Sequence, residues 1–567
     1  MDLLGTLAEI AGRLRICYCK LKPRCRIKAA RHKLFVMKKT LFSLVLLGLV
    51  AFYAKAQEQV SPILPKPASI SWQDGQFTIP KELIVYGEKS QSEIGYFSRE
   101  VLTVSGLKTK LADNPSTSHL LLAVDSQLVK QPEGYQLKVT PENIQITGHD
   151  DAGVFYGLQS LIQLLYAGKD DLSIPAQTIN DVPAFQWRSY LIDEGRYFKG
   201  EEEVYEILDE MAALKFNVLH WHLTDDGGWR IEIKKYPKLT EIGSKRKDTE
   251  IGTWGSGKTS GEPHEGFYTQ EEVRRILRYA KERHIKVVPE IEMPGHASAA
   301  IASYSWLGSS GEEIEVPVKF GKHYPTFNVA NARVQQFLKD VVDEVLELFQ
   351  TDVIHIGGDE VRFNEWEKND EINALKQKNN FSSYMDVQID FTNKMSQYIQ
   401  GKGARMMGWN EILGKVLHED DNIHFDNPSQ QVANNVIVQY WKGDLQEIAS
   451  AVSKGYDIVN SHHQYTYLDY TFDQIPFEKS YNFQPVPDNI PEDLKHKIIG
   501  IGCQMWAEWA PTKKVVQRQT FPRLAAYAEV AWTPRELKDY DDFLSRLPYF
   551  LKRWDGKGIL YTDIFAL

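Results

Sequence analysis

Beyond residue 185, one pattern recurs eight times. A short, continuously apolar run ends in polar or aromatic residues, and an amphipathic stretch usually follows. The apolar runs occupy 188–193, 217–222, 286–290, 352–357, 404–409, 436–441, 457–461 and 499–507. Helical patterns lie at 201–214, 270–284, 331–349, 386–400, 444–454 and 521–532. Runs without polar alternation suit strands covered on both faces. Eight strand–helix units over roughly 350 residues predict an α/β fold, a (β/α)8 barrel of the TIM type, over 185–567. Such barrels carry their chemistry at the C-terminal ends of the strands. Here those ends are Asp193, His222, Glu290, Asp359-Glu360, Trp409, Trp441 and Trp506. Acids and indoles together suit a neutral, hydroxyl-rich ring.

The chain ahead of this pattern reads differently. Of 13 Trp, only Trp72 precedes Trp187. Strand-like runs at 83–86, 120–124, 135–139 and 144–147 alternate with helical ones at 92–104 and 152–165. They predict a small α+β domain over 57–184. Pro175 and the Asn180-Asp181-Val182-Pro183 turn mark its end.

The first 56 residues are read as processing sequence. From Met37, two lysines precede a mostly apolar run at 41–54 and an Ala54-Lys55-Ala56 cleavage site. This is the layout of a secretory signal peptide, and the run is too short to span a bilayer. A signal peptide at 37–56 makes residues 1–36 a mis-assigned extension. The alternative is a signal anchor with a basic cytoplasmic arm. Residues 1–56 hold twelve Lys/Arg against Asp2 and Glu9, so the chain from Gln57 carries a formal charge of −20 where the whole carries −10. Cleavage also leaves Cys503 as the one cysteine, which excludes an internal disulfide. An exported protein, periplasmic or secreted, without stable membrane insertion, is expected. The acidic balance argues against nucleic acid as a partner. A hydrophobic fraction of 43% with 25% charged residues excludes wholesale disorder and a multi-span membrane protein. Nothing in the sequence sets an oligomeric state.

Two motifs invite other chemistry. Gly252-Thr253-Trp254-Gly255-Ser256-Gly257-Lys258-Thr259 fits the GxxxxGK[ST] phosphate loop letter for letter. That loop works only between a strand and a helix, and here charged residues precede it and Ser260-Gly261-Glu262-Pro263 follows. His220-Trp221-His222 could direct both imidazoles to one metal, because alternate strand residues face the same way. Otherwise the two histidines hydrogen-bond carboxylates of the pocket.

His355-Ile356-Gly357-Gly358-Asp359-Glu360 is the most informative strand end. The two glycines let the backbone bend and approach a ligand closely. Glycoside hydrolysis needs one carboxyl as acid and another group to stabilise the oxocarbenium-like centre. Adjacent like charges in an apolar pocket push the two pKa values apart.

These residues resemble glycoside hydrolase family 20, the β-N-acetylhexosaminidases, in a bacterial, secreted form. The resemblance rests on residues 355–360, on 217–226 with Gly228-Trp229-Arg230, and on Pro289-Glu290-Ile291-Glu292-Met293-Pro294-Gly295-His296. It implies exo-hydrolysis of terminal, non-reducing β-linked N-acetylhexosamine, GlcNAc or GalNAc, from glycans or chitooligosaccharides. It implies retention through an oxazolinium intermediate, with no metal and no cofactor. By the resemblance, Glu360 is the general acid and base, and Asp359 orients the substrate's 2-acetamido group. Tyr467 donates to the acetamido oxygen. Trp409, Trp441 and Trp506 wall the ring, while Arg196, Asp469 and Glu508 bind hydroxyls. Asp225 and His296 support Glu360. The roles of Asp226 and Glu292 are left open. A barrel metal-hydrolase and a binding protein on an inactive barrel are the competing readings.

Overall fold

The computed structural model describes residues 61–168, 170–321, 325–414 and 428–566. The leader at 37–56 and the extension before it lie outside the described residues.

The N-terminal part is built on seven strands. These are β1 (Ser69–Thr78), β2 (Glu82–Tyr86), β3 (Lys108–Leu111), β4 (Leu120–Val124), β5 (Tyr135–Val139), β6 (Ile144–Gly148) and β7 (Ser173–Asp181). They form one mixed sheet in the order β1-β7-β5-β6-β4-β2-β3. Helices α1 (Gln91–Ser105) and α2 (Asp151–Ala167) pack on each other, and α2 runs along β4, β5 and β6. Asp150 caps α2 by accepting from the Gly153 N–H at 2.8 Å, and its apolar residues from Val154 to Leu165 are buried. The fold is the expected α+β domain, with three more strands. Pro175 lies inside β7 rather than beyond it. It is tolerated because β5 pairs only with Gln177–Asp181 of that strand, so the ladder needs no N–H from Pro175 on that side.

The C-terminal part closes into a barrel of eight parallel strands. They are β8 (Trp187–Asp193), β9 (Val218–His222), β10 (Lys286–Glu290), β11 (Val353–His355), β12 (Arg405–Trp409), β13 (Ile437–Tyr440), β14 (Asp457–Asn460) and β15 (Ile498–Met505). The outer ring includes α3 (Glu201–Ala213), α4 (Gln270–Lys281), α5 (Ala332–Phe349), α6 (Tyr384–Gly401), α7 (Ile448–Ser453) and α8 (Arg523–Trp532). Local sequence explains several of them. Thr269 and Glu272 form a capping box at the start of α4. In α5 the buried Val334, Phe337, Leu338, Val341, Val342 and Val345 follow the helical repeat. The expected helix at 444–454 shortens to α7 because its first residues, Leu445–Glu447, form a 3-10 turn.

Inside the barrel, chemistry is layered. Trp187, Val218, Val288, Val353, Met407, Ile437 and Val459 form an apolar plug at the N-terminal end. One step up each strand, His220, Glu290, His355 and Gln439 are buried and polar. The mouth lies above them. Because strand side chains alternate, β9, β10, β11 and β13 each carry a plug residue first and a polar residue two positions on.

The two parts join through buried charge. Arg188 of β8 pairs with Glu133 at 2.8 Å. Lys215 pairs with Asp181 at 3.0 Å and also donates to the Tyr135 hydroxyl. The Trp532 indole N–H donates to Asp181 at 2.9 Å. Helix α9 (Tyr540–Lys557) was not expected from the pattern. It places Arg553, Trp554 and Lys557 around Glu210 of α3, and Arg546 on Glu529 of α8. No helix among the described residues is long and apolar enough to cross a membrane.

Candidate active site

Past the end of β11 the backbone turns sharply. Gly357 (φ +65°), Gly358 (φ +87°) and Glu360 (φ +52°) all take left-handed conformations. A Cβ on Gly357 would stand 1.7 Å from the Glu292 carboxylate, so the turn has room for glycine alone. Glu360 has no such freedom, and its backbone costs about 1–2 kcal/mol there. It is held by its N–H, which donates to the Glu411 carboxylate. Such strain is kept where the surroundings fix a side chain for use.

His296 joins the two acids. Its Nε2 stands 3.7 Å from Asp359 and 3.6 Å from Glu360. Its Nδ1 lies 3.0 Å from Asp226, which also accepts from the Ser298 backbone N–H at 3.0 Å. Burial opposes charge on this imidazole, yet Asp225, Asp226 and Asp359 raise its pKa well above the usual histidine range. Asp225 is 3.7 Å from His296 but only 2.9 Å from Arg196, so the direct partner of His296 is Asp226. The sequence could not separate these neighbours, since both follow the same strand.

Asp359 is the more buried acid. Burial, helped by Glu411, Glu360 and Glu290, pushes it up to about 7 against the pull of His296. Its Oδ1 is buried without a hydrogen-bond partner, although its residue lines the cavity. A buried acceptor left unpaired costs roughly 1–3 kcal/mol unless a ligand supplies the donor.

The cavity at the barrel mouth measures about 720 Å³. It gathers Arg196, Asp225, His296, Asp359, Glu360, Trp409, Trp441, Tyr467, Asp469, Trp506 and Glu508 into one lining. Every site residue expected from the sequence thus meets there. Trp409 is buried and donates its indole N–H to Glu290 at 2.8 Å. Trp441 and Tyr467 lie parallel, 6.1 Å between centroids and 11° between planes. Trp506 packs 5.7 Å from Trp409, and the Arg196 guanidinium lies 4.9 Å from its ring. Tyr467 follows a one-turn helix and is fixed by its bridge to Gln504 of β15. No periodicity marks that position, so only the Tyr467-Leu468-Asp469 resemblance could point to it.

Asp469 and Glu508 stand together on the far wall. Burial raises both, and with the nearby Glu508 it lifts Asp469 well above its ordinary value. Asp469 Oδ1 is another buried acceptor without a partner. The unpaired Asp469 oxygen, the neighbouring Glu508 carboxyl and a cation beside an indole can hold the hydroxyls of a pyranose.

Beneath the mouth, His220 lies 2.9 Å and His355 2.8 Å from Glu290. Burial makes the carboxylate form costly, but these histidines and His222 hold Glu290 well below its ordinary pKa. His222 turns elsewhere, 3.3 Å from both Asp193 and Glu292. The two histidines of the His-Trp-His run therefore have different nearest partners, yet both reach Glu290, His222 at 3.9 Å. Three groups bring ligand-type atoms within 4.8 Å of one another: His220 with Glu290 and His355, His222 with Glu290 and Glu292, and Asp225 with Asp226 and His296. The GxxxxGK[ST] segment is a surface excursion closed by a bridge between Glu250 and Thr259. No helix begins behind it, so it cannot cradle phosphate in the usual way.

Comparison with known proteins agrees with this geometry. Residues 185–535 match the model of the glycosyl hydrolase family 20 catalytic domain, and residues 60–182 match domain 2 of the same family. A beta-hexosaminidase of Porphyromonas gingivalis is 33% identical, over 91% of this chain and 67% of its own. The crystal structure of a beta-N-acetylhexosaminidase from Bacteroides fragilis superposes with a TM-score of 0.75 at 30% identity, covering 88% of this chain and 97% of that one. A family 20 exo beta-N-acetylglucosaminidase from Vibrio harveyi, solved with N-acetylglucosamine, gives a TM-score of 0.76 at 30% identity, covering 89% and 79%.

Proposed function

The chain belongs to glycosyl hydrolase family 20, and from that premise we propose that it removes terminal, non-reducing β-linked N-acetylhexosamine with retention of configuration. One observation carries the assignment of roles. Asp359 and Glu360 share His296, and Asp359 keeps a buried oxygen without a donor.

Glu360 is the general acid. It is the more exposed of the two, at 33% against 14% for the Asp359 side chain, and can reach a leaving oxygen at the mouth. Retaining enzymes of the usual kind add a carboxylate nucleophile ~5 Å from the acid. Here that role falls to the substrate's own acetamido oxygen. Asp359 accepts the acetamido N–H, and Tyr467 donates its hydroxyl to the acetamido oxygen. The amide is thereby aimed at the anomeric carbon. A tethered nucleophile is worth up to about 7–11 kcal/mol in effective molarity. As Glu360 protonates the leaving group, the amide closes to an oxazolinium ion whose charge Asp359 balances. Glu360 then takes a proton from water, which opens the ring. His296, kept protonated by Asp226 and its neighbours, steadies both acids. Trp409, Trp441 and Trp506 exclude water from the ring.

The substrate range includes GlcNAc- and GalNAc-terminated glycans and chitooligosaccharides. The residues at 37–56 support export to the periplasm or beyond, with Gln57 as the mature end.

The test compares two sugars that differ at C2. A β-N-acetylglucosaminide should be cleaved orders of magnitude faster than the matching β-glucoside. A thiazoline mimic of the cyclic intermediate should inhibit competitively, far more tightly than N-acetylglucosamine. Comparable turnover of the glucoside, or a covalent sugar trapped on Asp359, would overturn the proposed mechanism.

A further inference from the structure

The phosphate-loop look-alike has another use. Its Trp254 is 61% exposed, the most exposed tryptophan in the described chain, and it lines the cavity with the catalytic acids. A single exposed indole would need no explanation, but one joined to Trp509 and Phe320 at the lip of a pocket forms an aromatic patch of the kind that marks a binding groove.

The surroundings fix this indole. Backbone bonds from Glu250 to Val318 (2.7 Å) and from Ser260 to Thr249 (2.8 Å) clamp the base of the excursion. Gly252, Gly255, Gly257 and Gly261 turn it through left-handed conformations. Trp254 meets Trp509 edge to face at 5.4 Å, and Trp509 meets Phe320 in the same way at 5.7 Å. Gly321 backs the ring closely, since a Cβ there would lie 3.1 Å from Cδ1. Trp509 belongs to the segment that carries Trp506 and Glu508, so the ledge is continuous with the wall of the pocket.

The floor and walls assigned above account for one ring. Trp254, Phe320 and Gly321 line the same cavity but take no part in holding that ring. We propose that Trp254 is a specificity-determining platform for the aglycone, stacking the second pyranose of an oligosaccharide whose terminal sugar occupies the floor. This rests on the reading of the floor as an N-acetylhexosamine site. A pyranose presents a flat apolar C–H face, which an indole can cover while its hydroxyls stay in water. The ledge therefore favours a sugar aglycone over a small alkyl one. It also explains the glycine-rich sequence as the scaffold of a rigid rim, without any phosphate.

The test sets Trp254→Ala against the unaltered enzyme on N,N′-diacetylchitobiose and on methyl β-N-acetylglucosaminide. The first offers a second ring and the second does not. The variant should lose about tenfold or more in kcat/KM on the disaccharide, mostly through KM, as truncation of a stacking tryptophan does. It should keep its rate on the methyl glycoside and its melting temperature, because the side chain is exposed. Trp254→Phe should restore most of the loss. Equal change on both substrates, or none on the disaccharide, would overturn the platform. Failure of the unaltered enzyme on both sugars would instead overturn the reading of the floor.

Discussion

Asp359 and Glu360 are neighbours in sequence whose carboxyls meet different surroundings, and that difference separates their roles. Glu360→Gln should lower kcat by ~10²–10⁴ on a sugar aglycone, the usual worth of general acid–base catalysis. The deficit in the first step should shrink with a nitrophenyl leaving group, which needs little protonation. Steady-state rates on the two substrates check this. Asp359 makes a different prediction, about stability. Its pKa rises from 3.8 to about 7 in the folded state, chiefly through burial. An acid raised in this way keeps its proton in the fold after the unfolded chain has lost it. Stability from this group is thus present at low pH and is lost as pH rises from about 4 to 7. Asp359→Asn should therefore raise stability near pH 8 by on the order of 1–3 kcal/mol, seen as a higher melting temperature, with little change near pH 4. The same variant should lose most of its activity. Thermal melts at both pH values, beside a rate assay, would show a site that gives up stability for function.

At the scale of elements, the turn after β11 carries the most consequence. Gly357→Ala would place a methyl group on the Glu292 carboxylate and force a left-handed alanine. Activity should fall by at least tenfold and the melting temperature by several degrees, whereas Gly401→Ala, in open space near the end of α6, should change neither appreciably. Melting curves and rates for both variants check this. The elements also show what a sequence can disclose. The barrel strands are legible because they are covered on both faces and mostly apolar, and β10 runs over Lys286–Glu290 as the pattern says. Strand β1 is not legible, because nearly all of its side chains are exposed and it pairs on one side only. Helix α9 is hidden by Pro548 in its middle. At the site, the acids stand at strand ends and can be found by rule. Tyr467 lies on a connection whose position depends on a contact with β15, which no local pattern records. Asp225 and Asp226 are indistinguishable until Arg196 and His296 take one each.

At the scale of the molecule, the α+β part and the barrel share buried charge. Lys215 and Asp181 are both fully enclosed, and Tyr135 and Trp532 complete their hydrogen bonds. Lys215→Met should destabilise by about 3–5 kcal/mol, since it strands Asp181 without its cation. Adding Asp181→Asn should recover part of that loss, and denaturant melts of the single and double variants would measure it. The layered barrel interior has its own consequence. Below the sugar ring lie His220, Glu290 and His355, and below them the apolar plug. The pocket is thus blind at its inner end. A glycan can insert only its tip, and the freed monosaccharide can leave only by the way it came. The shortened chain must withdraw before that exit clears. The blind pocket therefore predicts distributive action: on a polymer, the chain is released after every cut, and a whole population of chains shortens in step rather than one chain being consumed to its end.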